Sequence, residues 1–198
     1  MSLELFNSLA TFGTFLVIAA TAIAALVQLR HARSANLIEG LSEVRRTFSS
    51  ASHQAAVHFV VTGLPEKWKD PAFRYQRSHR DARTPENQVL ISMINEVANT
   101  YETLGVMVKR NLVDPVMALD LYSGNAVGVW EALAPVTAAA RQRGGSAVWE
   151  NFEYFVVLSQ DWLAAHPNGT YPRGSRRIVV ADEFHDADAA YAASLATS

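Results

Sequence analysis

The sequence contains no cysteine, which excludes a disulfide framework, a thiolate nucleophile and a zinc–thiolate site, and is compatible with a reducing compartment. Charge is also scarce: Asp, Glu, Lys and Arg make up 18% of the residues and the formal net charge is -2. Such a balance argues against a chain whose main task is to coat nucleic acid. Strand signals are nearly missing, and no phosphate loop, nucleophile elbow or dinucleotide fingerprint occurs. The histidines, His31, His53, His58, His79, His166 and His185, include no pair at i,i+4 spacing and fall outside the apolar seams or in the tail. The Glu-x-x-His pattern of carboxylate di-iron bundles is missing as well. No metal site and no cofactor are expected.

What remains is apolar. With 198 residues, 49% of them hydrophobic, the chain has room for one globular domain with a tail or anchor, and it is too apolar for global disorder. From Leu5 to Leu29 no residue is charged, a run longer than the roughly 20 residues a helix needs to cross a bilayer core. A cleaved signal peptide would carry positive charge before the run, whereas here Glu4 precedes it and Arg30 and Arg33 follow. A core helix apolar on every face would need a larger soluble domain around it. The expectation is a single span through residues 5–29 of an inner membrane, with Met1 outside and everything after Gln28 cytoplasmic, because Lys and Arg mark the cytoplasmic end.

Helical periodicity continues past the run. Leu37, Leu41, Val44 and Phe48 form an apolar stripe flanked by charges of both signs, the pattern of a domain-packing or self-association seam rather than of a helix lying on a membrane surface. A second apolar stretch, Ala55–Val61, is expected to end at Gly63, Leu64 and Pro65. Between Lys67 and Arg83 come Lys67, Lys69, Arg74, Arg77, Arg80 and Arg83, with Trp68, Phe73 and Tyr75 interleaved. That mixture suits anionic lipid or single-stranded RNA. Without an accompanying RNA-binding motif, the preferred reading is an irregular solvated connection whose aromatics plug into the domain, and nucleic acid is not an expected partner.

Thr84 and Pro85 then open a helix whose Leu90, Ile94, Val97, Tyr101, Leu104 and Val108 share one face, closed by Lys109 and Arg110. Asp114 and Pro115 start another. It is expected to be interrupted at Ser123 and Gly124, and kinked or restarted at Pro135. A last helix is expected from about Ser146 to Leu163, with Val148, Phe152, Phe155, Ser159 and Trp162 on one stripe. Trp130, Trp149 and Trp162 read as core anchors. After His166 a flexible tail carries Arg173, Arg176 and Arg177, then an acidic, alanine-rich end. The fold class expected is all-α: an N-terminal transmembrane helix (residues 1–30), a cytosolic bundle of about four or five helices (31–165) and the tail (166–198).

Tyr101, Glu102, Leu104 and Gly105, then Leu112, Val113 and Asp114, then Trp130, Leu133, Pro135 and Arg141, and finally Trp149, Asn151, Phe152, Glu153 and Tyr154 together resemble an uncharacterised bacterial family, the DUF4760-like proteins. The resemblance extends to about Leu163. It implies a span preceding a helical domain of unknown function, and it supplies no activity.

Glu102 lies next to Tyr101 of the seam and Glu153 next to Phe152, so both carboxylates are expected to border the core, where an unpaired charge is expensive. Arg141 is the obvious partner. An interhelical polar cluster of Glu102, Arg141 and Glu153, closed by Tyr101 or Trp149, is expected mainly to fix helix register. The competing reading is acid–base or metal chemistry at the membrane surface. The function these features favour is a membrane-anchored accessory protein, without catalysis, that recruits a membrane-protein partner or self-associates.

Overall fold

The computed structural model describes residues 3–196, with side chains described for residues 11–31 and 39–195. It is all-α, and among the described residues there is no strand. The chain divides into two compact units, Met1–Pro167 and Asn168–Ser198.

The first unit begins with α1, Leu3–Phe48, 46 residues in one unbroken helix, about 69 Å long at 1.5 Å per residue. Its segment Thr11–His31 is a candidate membrane span with none of it buried. There the Thr21 hydroxyl donates to the Val17 carbonyl at 2.7 Å, so this polar atom is satisfied within the helix, as a lipid environment requires. Further along, α1 packs into the domain: Val44 is buried and Leu41 and Phe48 pack against the core. Three of the four stripe residues are therefore used for packing within the chain, while the Leu37 side chain lies outside the described residues.

Ser50 caps α2 (Ala51–His58) by accepting from the His53 amide at 3.3 Å. The helical path does not stop at Gly63–Pro65 as expected. A π-type turn, Phe59–Gly63, leads into α3 (Leu64–Lys67), with the Leu64 amide bonded to the Phe59 carbonyl. Pro65 lacks a donor and its ring would meet the carbonyl one α-turn back. Widening the turn by one residue makes room for it. The region after Lys67 also differs from the irregular connection expected: it forms α4 (Pro71–Ser78), capped by Asp70, and a short 3-10 turn over Arg80–Ala82. Phe73 is fully buried there.

Thr84 caps α5, Pro85–Lys109, whose buried face runs Ile91, Ile94, Val97, Ala98, Tyr101, Leu104, Gly105 and Val108. Asp114 caps α6, a single helix from Pro115 to Gly144. The interruption expected at Ser123–Gly124 does not occur, and of the kink or restart expected at Pro135, the restart does not. Gly124 and Pro135 both face outward, where a glycine costs about 1 kcal/mol without ending a helix and solvent can satisfy the carbonyl a proline leaves free. α6 ends at Gly145, at φ +80°, and Trp149 follows at φ +55°. These two left-handed positions delay the last helix of the unit, so α7 spans Glu150–Ala165 instead of starting near Ser146.

α7 packs along both α5 and α6. The closest approach is at Gly105, where an added Cβ would collide with the Asn151 backbone. In the second unit, Arg177 lies over the Tyr171 ring at 4.7 Å and donates to the Asn168 carbonyl at 3.1 Å. Its acidic end forms α8, His185–Ala196.

We expect Gly105→Ala to destabilise the full-length protein in detergent by about 3 kcal/mol, at the upper end of overpacking penalties, because the atom it meets is backbone that cannot swing away. Gly124→Ala, with nothing within 4 Å of the new methyl, should instead stabilise by up to about 1 kcal/mol. Chemical denaturation followed by far-UV circular dichroism measures both.

Candidate functional site at the junction of span and bundle

The last residue of α1 is the centre of an aromatic cluster. The Phe48 ring meets His53 edge-on at 4.9 Å, Tyr101 edge-on at 5.0 Å and Tyr122 at 4.5 Å. Tyr101 in turn stacks on Phe152 of α7 at 4.7 Å, and Phe152 meets Trp130 of α6 edge-on at 5.0 Å. The helix carrying the candidate span is thus tied through one ring to α2, α5 and α6, and through Tyr101 to α7. Burial raises the pKa of the Tyr101 phenol, with Tyr122 adding to the effect, and burial likewise raises that of Tyr122 against the opposing charge of Arg45. Both phenols stay neutral at physiological pH.

Two cavities flank Phe48. One, of about 280 Å³, lies between α1 and α5 and is lined by Glu43, Val44, Thr47, Asn99, Thr103 and Met107, among others. The other, of about 420 Å³, is lined by Phe48, His53, Gln54, Val57, His58, Tyr101 and Asn125. His53 is only 1% exposed, although its sequence position lies outside the expected seams. The signal that could have found it is the run His53, Ala56, Val60, Leu64, buried at spacings of three, four and four. Both ring nitrogens of His53 lack a hydrogen-bond partner. Burial lowers its pKa, and the charge of Glu96 on α5 only partly opposes this.

The polar cluster expected from Glu102, Arg141 and Glu153 is divided in two. Arg141 and Glu153 pair at 2.8 Å. The same arginine donates through Nε to the Val148 carbonyl at 3.0 Å and lies 5.7 Å from the Trp130 ring. Glu102 is elsewhere: it accepts from the Phe152 amide at 2.8 Å and the Asn151 side chain at 2.7 Å. The reason is local. Trp149 stands at the N-cap position of α7 in a left-handed conformation and makes no side-chain cap bond, so the first amides of α7 need an acceptor from outside. Glu102, projecting from α5, supplies it, and its charge also suits the positive end of the helix. The Trp149 indole donates to the Asn99 amide oxygen at 3.2 Å. The roles of Asn99 and Asn151 were not foreseen, although Asn151 is among the residues that carry the family resemblance, since both serve a crossing of α5 and α7 that no spacing within either helix reveals.

Most of the basic residues of the 67–83 segment are engaged in contacts within the chain. Arg74 donates to the Trp68 and Lys69 carbonyls at 2.6 and 2.8 Å, and Arg83 to the Gln76 and Arg77 carbonyls at 3.0 Å each. Lys69 pairs with Glu66 at 2.6 Å, and Lys67 lies 4.0 Å from Glu86 and 5.6 Å from the Phe73 ring. Arg77 lies 5.7 Å from the Trp149 ring, and its pKa is pulled down to about 10 by burial and then by the charges of Arg143 and Arg83. Arg80 is exposed in the 3-10 turn. Among the described residues no group of three or more His, Cys, Asp or Glu side chains is placed to hold a metal ion.

The family model described as "Domain of unknown function (DUF4760)" matches residues 15–159, from within the candidate span to the last buried residue of α7. No curated protein and no solved structure matches the chain.

Two outcomes follow from this geometry. Glu102→Ala should destabilise the protein by about 2 kcal/mol, since it strips a charged cap from α7. Glu153→Ala should cost under about 1 kcal/mol, because its partner pair is half-exposed; denaturation of both variants side by side tests the ordering. For His53 the folded-state pKa is depressed, so the unfolded chain binds the proton more readily. The stability tied to its neutral form is whole above about pH 6.5 and declines as the pH falls below it. His53→Phe should flatten that part of the stability–pH curve between about pH 7 and 5, where the wild type loses stability.

Proposed function

The chain belongs to the family defined by the domain of unknown function DUF4760, and from that premise we propose that it is a membrane-anchored accessory protein, holding its helical domain against the cytoplasmic face of an inner membrane to recruit a protein partner. One observation carries this reading: α1 runs without interruption from the unburied segment Thr11–His31 into the core at Val44 and Phe48. A helix of that kind is a stiff stalk, and whatever binds the domain is held at a defined height from the bilayer. The positive residues Arg30 and Arg33 after the span favour the cytoplasmic side for the domain.

Because Leu41, Val44 and Phe48 are packed within the chain, recruitment needs another surface. The start of α6 offers one: Val116, Met117 and Leu121 are each more than half exposed and lie on the face opposite the buried Ala118, Leu119 and Tyr122. Large apolar side chains grouped on a surface mark interaction sites. The partner is a membrane protein or a second copy of the chain, either of which the span would concentrate in the plane of the bilayer.

Extraction of the tagged full-length protein from its native membrane in mild detergent should return a stoichiometric companion or a defined oligomer, read by mass and composition. Leu121→Glu should dissolve that complex while changing stability by less than about 0.5 kcal/mol; a monomer without companions in the wild type would sink the proposal. Since the chain has no cysteine, Ser175→Cys reports topology cleanly. It should react with a membrane-impermeant maleimide only after permeabilisation, and labelling of intact cells would overturn the orientation.

A further inference from the structure

The second unit of this helical chain holds a strand-forming run. Ile178, Val179 and Val180 are β-branched in succession, and they are the three most exposed large apolar side chains among the described residues, at 81%, 93% and 86%. The segment 175–182 around them has no regular structure and lies between a turn at Arg173–Gly174 and the turn that leads into α8. Among the described residues, no backbone amide or carbonyl from Arg177 to Ala181 is hydrogen-bonded within the chain. Such a row of free donors and acceptors is a template for pairing with another strand.

We propose that this segment pairs, antiparallel, with the same segment of a second copy of the chain. Charge selects that occupant. The run reads basic, apolar, acidic: Arg176 and Arg177, then Ile178 to Ala181, then Asp182 and Glu183, so reversing one copy lays each end against its opposite. In an antiparallel pair that closes on a two-fold axis, facing residues share one side of the sheet, and their numbers are therefore both odd or both even. With Val179 on the axis and opposite itself, Ile178 faces Val180 and Arg176 faces Asp182, each contact made twice, and Glu183 falls diagonally opposite Arg177. An axis at Val180 would set Ile178 against Asp182, and one at Ile178 would set Arg176 against Val180. The charges thus fix the register.

The groups that pairing needs are available. Among the described residues the Arg176 side chain makes no hydrogen bond or ion pair, while its carbonyl accepts from the Tyr171 hydroxyl at 3.0 Å. That carbonyl therefore faces away from the second copy, and Val179 with its odd-numbered neighbours exchanges the ladder hydrogen bonds. Asp182 accepts from the Phe184 amide through Oδ1 at 3.1 Å and lies 3.8 Å from His185, which holds the carboxylate at the end of the run with lone pairs to spare for a guanidinium. Two strands alone are marginal in water, but confinement of both copies to one bilayer through the candidate span raises their effective concentration. The inference rests on the proposed anchoring in that respect and uses no residue of the α6 face.

Because the chain has no cysteine, Val179→Cys, Ala181→Cys and Ser175→Cys, each made in the full-length protein in its native membrane and oxidised with copper phenanthroline, test the pairing. In this register position 179 lies about 5.5 Å from its counterpart between Cα atoms, within disulfide range. Position 181 is about 14 Å from its counterpart along the strands, and position 175 about 27 Å. Val179→Cys should form a covalent dimer at least fivefold faster than either other variant. Arg176→Asp added to Val179→Cys should slow the cross-link at least threefold, and Asp182→Arg in the same chain should bring the rate back to within twofold. Equal rates at the three positions mean random collision of tails and overturn the proposal. So does a maximum away from position 179, an unchanged rate with Arg176→Asp, or no recovery in the double reversal. The maximum at position 179 should persist in Leu121→Glu, so failure of the α6 reading leaves this result standing, and alkaline extraction of the same membranes reports the anchoring separately.

Discussion

The arrangement of the first unit depends on one ring. Phe48 ends a helix of 46 residues, and its contacts with His53, Tyr101 and Tyr122 join that helix to three others at a single point. Aromatic side chains suit this role because they bury a large area with few rotatable bonds, and edge-on contacts fix their relative orientation. Gly40 supports the same docking higher up, where its missing side chain admits the Leu112 carbonyl, 2.8 Å from where a Cβ would stand. From the unburied apolar segment Thr11–His31 to the docked Val44 and Phe48, α1 continues without any break in its backbone.

The second constraint is the entry to α7. The loop reaches it through left-handed residues at Gly145 and Trp149, and a tryptophan in that conformation pays a steric penalty that neighbouring contacts must offset. Its indole is held by Asn99 and its own carbonyl accepts the Glu153 amide at 3.1 Å. Glu102 then supplies the missing cap, and Gly105 permits the close crossing. Cap, crossing and strained residue occupy one short stretch, which accounts for the density of distinctive residues in the segments 101–105 and 149–154: each satisfies a demand set by the others.

A chain with 18% charged residues has few cations to spare, and their use is informative. Arg74 and Arg83 close helix ends through carbonyls, Arg141 bridges the α6–α7 loop and Glu153, and Arg77 is partly buried against Trp149. Guanidinium groups suit this work because they offer several donors in a fixed plane. Residues that look like a phosphate-binding run when read in order are thereby distributed over separate structural tasks, while among the described residues buried side-chain atoms without a partner are found on His53, Arg77 and Asn87.

Periodicity and punctuation in the sequence sufficed for the all-α class, the apolar N-terminal helix, the seam of α5 and the caps at Thr84 and Asp114, because each depends on interactions within a few residues of the chain. The same local rules failed where a neighbour changes the local balance. Pro65 and Pro135 did not stop their helices, since a widened turn relieves one and solvent the other. Glu102 left the cluster expected around Arg141 because α7 lacked a cap of its own. His53 belonged to the core on a stripe readable in retrospect, but its unpaired nitrogens and the cavity beside it could not be read at all. Local order is written in neighbouring residues; which polar atom meets which, and where space is left empty, is settled only when α2, α5 and α6 close around Phe48, because those distances exist only between elements remote in the chain.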